Sequence, residues 1–119
     1  MSVISTCDPR ISAIILKSDL GPVLLVSVYM PIDYGECLEF YIATCAYITA
    51  LFQESDAVNL VVAGDFDCQV VSRFYNSFLR FVGENNLQLT DQRHLNDVFT
   101  YCNDSATAYS RIDHIVRFT

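Results

Sequence analysis

The run Pro22–Met30, "PVLLVSVYM", leaves this chain few choices. It is rich in β-branched and apolar residues, bounded by Gly21-Pro22 on one side and Pro31 on the other, and too short for a typical helix. Side chains alternate across a strand. Leu24, Val26, Val28 and Met30 therefore share one wholly apolar face, while Val23, Leu25, Ser27 and Tyr29 share a face that turns polar toward its end. Pro31 stops the strand, because proline offers no amide to a ladder. A second β-rich run, "RISAIILKS" (Arg10 to Ser18), precedes it across Asp19-Leu20-Gly21, which reads as a hairpin. A tight hairpin as the first connection disfavours a purely parallel, doubly wound sheet.

Beyond Pro31 the period changes. Asp33 and Glu36 have the spacing of a helix-start box. Leu38, Tyr41, Ile42, Cys45, Ile48 and Phe52 then recur at helical intervals, predicting a helix to about Gln53. "VNLVVAG" reads as a short buried strand. Val71, Phe74, Phe78, Phe81 and Val82 form a second amphipathic pattern that closes near Gly83 to Asn86. Two further strand candidates follow, "VFTYC" and "SRIDHIVRF". Strands in pairs with helices between some of them predict an α+β (or α/β) chain with helices packed on sheets.

The 119 residues suffice for one domain, and 52% hydrophobic residues suffice for a core. The formal charge of -7 argues against a generic polyanion binder, though metal ions could offset acids clustered in a site. Six of the seven cations are Arg, which suits phosphate contacts, but they are dispersed. Cys7, Cys37, Cys45, Cys68 and Cys102 show no CxxC and no regular spacing, so neither a zinc site nor a disulfide framework is expected. No signal peptide is apparent, and the apolar stretch Cys37–Phe52 falls short of a membrane span. An intracellular protein without a membrane partner is expected. No phosphate-binding glycine loop of the GxxxxGK[ST] or GxGxxG kind is present.

Chemistry concentrates in "VVAGDFDCQV", residues 61–70. Asp65 and Asp67 lie two apart, so on extended backbone both carboxylates can converge on one point. Gly64 lets the chain bend or approach another group closely. Convergent hard oxygens suit a hard cation, or one acid could orient a water for attack. A turn whose acids bond only their own backbone is the plain alternative. In "YSRIDHIVRF", alternation sets Ile112, His114 and Val116 against Arg111, Asp113, Ile115 and Arg117. Asp113 needs a partner, either a histidine that it orients or a neighbouring Arg. His114 lacks ligand-spaced company, and His94 reads as a loop residue.

Taken together, "LLVSVYMP", a helix, "LVVAGDFDCQV", "VFTY" and "SRIDHI" resemble the endonuclease/exonuclease/phosphatase superfamily, and most closely the endonuclease domains of LINE-type (non-LTR) retrotransposons. The landmarks run from about Arg10 to Phe118. The resemblance implies a DNase I-like fold, a two-sheet β-sandwich flanked by outer helices, of which residues 1–119 would form a partial domain. It implies Mg²⁺-dependent phosphodiester hydrolysis, with Mn²⁺ as the alternative ion, on DNA and in the nucleus. Tyr29 would stand beside the scissile phosphate, and Asp65 would align or activate the attacking water. Asp67 stands where the family usually has Asn to position that water. Asp113 would orient a catalytic histidine, with Ser110 and Arg111 on the substrate side. Asp65 and Asp67 would be the acids nearest the metal.

Three departures accompany the match. The family's early Asn, its metal-binding Glu and its closing Ser-Asp-His strand have no counterpart between Met1 and Thr119. Asp67 also adds a charge beside Asp65 that would repel phosphate unless a metal intervened. General acid–base catalysis is worth roughly 10²–10⁴-fold, so the expectation is an endonuclease-like chain with weak or no activity of its own. A non-catalytic remnant or interaction module and a phosphatase of the same superfamily are the alternatives. Uncovered sheet edges and core faces would favour self-association.

Overall fold

A computed structural model of the chain describes residues 2–30, 38–66, 75–89, 101–102, 109–110 and 113–118. The hairpin forms as the alternation requires. Strand β2 (Ile11–Leu16) pairs antiparallel with β3 (Val23–Tyr29), Ile11 opposite Val28 and Leu16 opposite Val23. Its turn is closed by the Gly21 amide donating to the Ser18 carbonyl at 3.0 Å, with Gly21 at φ +113°. Strand β1 (Ser2–Ile4), which the sequence does not announce, adds to the outer edge of β2.

Helix α1 (Leu38–Glu54) carries the chain back so that β4 (Asn59–Asp65) runs parallel to β3. Tyr41, Thr44, Cys45 and Ile48 are buried at intervals of three and four residues. Thr44 tolerates burial because its hydroxyl donates to the Phe40 carbonyl at 2.8 Å. Ile42, expected inside, is 49% exposed on the flank of the helix. Helix α2 (Tyr75–Glu84) buries Phe78 and Phe81 and leads into β5 (Leu87–Leu89) through Asn86 at φ +54°. The expected positions Asp33, Glu36, Val71 and Phe74 lie outside the described residues.

The expected strand "SRIDHIVRF" is two strands with different neighbours. β7 (Tyr109–Ser110) pairs with β6 (Tyr101–Cys102) in a two-stranded ribbon. β8 (Asp113–Phe118) instead enters the main sheet between β4 and β5, in the order β1-β2-β3-β4-β8-β5. That sheet is mixed, with β3 and β4 its parallel pair.

The core lies between one face of this sheet and the two helices. Leu24, Val26, Leu60, Val62 and Val116 from the sheet are fully buried with Tyr41, Ile48 and Phe78 from the helices. The face predicted to be apolar, from Leu24 to Met30, is the one covered. At about 25 cal/mol per Å² of apolar surface, this burial is the main force holding the layer together. The opposite face carries Ser12, Ile14, Leu25, Ser27, Val61, Ala63, Ile115 and Arg117, partly or fully exposed.

Candidate active site

Three strand ends meet on that open face. Parallel pairing of β3 with β4 sets Tyr29 opposite Asp65, and antiparallel pairing of β4 with β8 sets Asp65 opposite Asp113. The three residues therefore occupy one row across three adjacent strands, although 29, 65 and 113 are remote in sequence.

The row is fixed from behind. Met30 and Phe66, the residues immediately after Tyr29 and Asp65, are buried in the core at 1% and 0% exposure. With those two side chains turned inward, alternation turns Tyr29 and Asp65 outward. Tyr29 is 53% exposed and Asp65 half-buried. The Met30 amide donates to the Asp65 carbonyl at 2.8 Å, extending the parallel ladder one step past the strand. The Tyr29 amide donates to the Arg10 carbonyl at 2.9 Å, tying the third neighbour, β2, to the same end.

Gly64 supplies the close approach that its position suggests. It sits at φ +146°, and a Cβ there would run into the backbone carbonyl oxygen of Val28. His114 pairs with Gly64, one row away from the acids. Phe66 meets Phe78 of α2 with ring centroids 4.8 Å apart and planes at 46°. Reading the acids alone misses these supports. The Phe between the two Asp residues was the available signal, since an aromatic side chain there has to be buried.

Asp67 and Arg111 lie outside the described residues, and Ser110 belongs to the ribbon strand β7. Among the described residues no three His, Cys, Asp or Glu side chains cluster as a complete metal shell. A Mg²⁺ ion is commonly held by one or two carboxylates with water and phosphate oxygens completing its shell. Asp65, half-buried at the end of β4, fits that smaller donor set. No helix among the described residues is long and apolar enough to cross a membrane.

The fold is α+β and DNase I-like, the architecture of endonuclease/exonuclease/phosphatase proteins. The endonuclease/exonuclease/phosphatase family protein from Leptotrichia buccalis superposes with a TM-score of 0.63 at 17% identity, over 92% of this chain and 41% of that one. A family protein from Bacteroides thetaiotaomicron gives 0.64 at 21% identity, over 90% and 40%. The mannosyl-6-phosphatase of the same organism gives 0.59 at 17% identity, over 91% and 41%. The chain thus spans about two fifths of the length of each. No family model and no curated protein sequence matches the chain.

Proposed function

We propose that this chain carries the water-positioning corner of a metal-dependent phosphoester hydrolase, with endonucleolytic cleavage of DNA as the reaction. The observation that carries the reading is the row Tyr29–Asp65–Asp113 on one face of a DNase I-like sheet. Asp65 aligns or deprotonates the attacking water, and Asp67 helps to hold it. Tyr29 stands beside the scissile phosphate, and Asp113 orients a catalytic histidine. Ser110 and Arg111 contact the substrate backbone. A Mg²⁺ or Mn²⁺ ion, when bound, neutralises charge developing on the phosphate oxygens. Asp65 and Asp67 are the residues that would hold it.

The likeness to LINE-type retrotransposon endonucleases in "VYMP" and "SRIDHI" favours DNA and a nuclear setting. The superposition takes in about nine tenths of this chain and two fifths of each neighbour, and we read residues 1–119 as one partial domain. A second reading is a phosphomonoesterase. The neighbour named as a mannosyl-6-phosphatase and the net charge of -7 without a basic stripe favour it.

The test follows Mn²⁺ by paramagnetic broadening of backbone amides, beside nicking of supercoiled plasmid and turnover of a phosphomonoester. Broadening centred on Tyr29, Asp65 and Asp113, lost in Asp65→Ala, with nicking above that variant, supports the DNA reading. Phosphomonoester turnover without nicking selects the second. A chain that shows no localised Mn²⁺ effect and turns over neither substrate is not a hydrolase.

A further inference from the structure

The row of strand ends does not stop at Tyr29. Ile11 stands opposite Val28, so Arg10, the residue before Ile11, falls opposite Tyr29. The Tyr29 amide donates to the Arg10 carbonyl at 2.9 Å, which fixes that register. Ile11 is 2% exposed and turned into the core, whereas Arg10 is exposed. Alternation therefore puts the guanidinium on the same side as Tyr29. Its backbone is held from the other side as well. The Arg10 amide donates to the Asp8 carboxylate at 2.9 Å, and the Ile11 amide to the Asp8 carbonyl at 3.1 Å. The Thr6 hydroxyl donates to the Ile11 carbonyl at 2.7 Å. A closed turn thus anchors the base of an exposed cation.

The chain has a formal charge of -7, and its described cations are Arg10, Lys17, Arg80 and Arg117. Lys17 follows β2 at its hairpin end, and Arg80 lines the cleft between the two helices. Arg117 stands opposite Val61, four residues along β4 from Asp65. Of these cations, Arg10 alone stands in the row.

We propose that Arg10 binds the backbone phosphate next to the one that is cleaved, and so selects a polynucleotide over a phosphomonoester. The proposal rests on the hydrolase reading, in which the attacked phosphate sits beside Tyr29 with its water at Asp65. Hydrogen-bonded antiparallel partners are about 5.5 Å apart at Cα and neighbouring strands about 4.8 Å, so Arg10 and Asp65 lie about 10 Å apart on opposite sides of Tyr29. A guanidinium on the far side of Tyr29 meets a nucleic-acid strand where its phosphates continue. A phosphomonoester has no group to offer there. Arginine suits the task, because its planar fork gives two parallel hydrogen bonds to a phosphate and stays charged. Such contacts hold a strand in register without reading its sequence.

The experiment uses the whole chain, with Ca²⁺ in place of Mg²⁺ so that the DNA stays intact. Anisotropy of a short labelled duplex is followed over a salt series for the wild type, Arg10→Gln, Arg10→Lys and the charge-matched control Arg80→Gln. A nucleoside monophosphate is titrated against the same proteins by amide shifts around Tyr29, and circular dichroism checks that each variant folds. Arg10→Gln is expected to weaken the duplex about tenfold, the worth of a charge-assisted hydrogen bond. It should also lower the salt slope by about 1 and leave the monophosphate affinity unchanged. Arg10→Lys should restore the slope but only part of the affinity, since the charge returns without the fork. Arg80→Gln should change neither. An Arg10→Gln chain with wild-type duplex affinity and slope overturns the proposal. So does an equal loss toward the monophosphate, or an equal loss from Arg80→Gln. A wild type that holds no duplex also overturns it. If Mn²⁺ broadening still centres on Tyr29 and Asp65 in that case, the hydrolase reading stands without Arg10.

Discussion

The ring of Phe66 lies 4.8 Å from that of Phe78, so the residue that follows Asp65 is gripped by the helix behind the sheet. Both rings are fully buried. Phe66→Ala and Phe78→Ala are each expected to lower unfolding free energy by about 3–5 kcal/mol, the usual cost of truncating a core aromatic. Because the rings touch, the double variant should lose less than the sum. Urea unfolding of the four proteins measures this, and strict additivity would mean the rings do not support each other.

Gly64 and Gly83 should respond to alanine in opposite directions. At Gly64 the new Cβ meets the Val28 carbonyl at a positive φ, and neither backbone can yield cheaply. A loss of at least about 2 kcal/mol is expected. At Gly83, within α2, nothing lies within 4 Å of the added carbon. There alanine should stabilise by about 0.5–1 kcal/mol, the ordinary helix preference. Thermal unfolding of the two variants checks the sign of each.

Asn85 joins the two helices. Its side-chain amide donates to the Thr49 hydroxyl at 3.1 Å and to the Phe81 carbonyl at 2.9 Å. Asn85→Ala should cost about 1 kcal/mol. A double-mutant cycle with Thr49→Ala should return a coupling of about 0.5–1 kcal/mol. A coupling of zero would place the two side chains apart in solution.

Cys7 and Cys45 should differ in reactivity. Cys7 is exposed and Cys45 is buried in the helix-facing core. Under native conditions iodoacetamide should modify Cys7 well before Cys45, as read by peptide mass mapping, and denaturant should abolish the difference.

Alternation made β2, β3 and β4 legible, down to which side of β3 is covered, because one face of each must be dry. The short strands β1 and β5 have three residues each, too few for a period to declare itself. Ile42 misled because it has helical spacing, yet it is Tyr41, Cys45 and Ile48 that are buried in the core, while Ile42 flanks the cleft toward α2. For the candidate site, residue types and Gly64's close approach were readable, and Tyr29, Asp65 and Asp113 were named. Their common row was not, since pairing between remote strands leaves no local trace in sequence. The division of "SRIDHIVRF" into two strands escaped for the same reason: its halves answer to different partners.

The row has a consequence for when it can exist. Its members come from three distant stretches, and the first two are joined through a crossover helix rather than a hairpin. Long-range closure of this kind is late and cooperative, since loop entropy is spent before the contacts form. The hairpin of β2 and β3 can assemble early and will present Tyr29 alone. Only a chain that has completed the sheet has Asp65 and Asp113 beside it. Whatever this corner binds will therefore report on the whole fold, and no half-folded form should bind it.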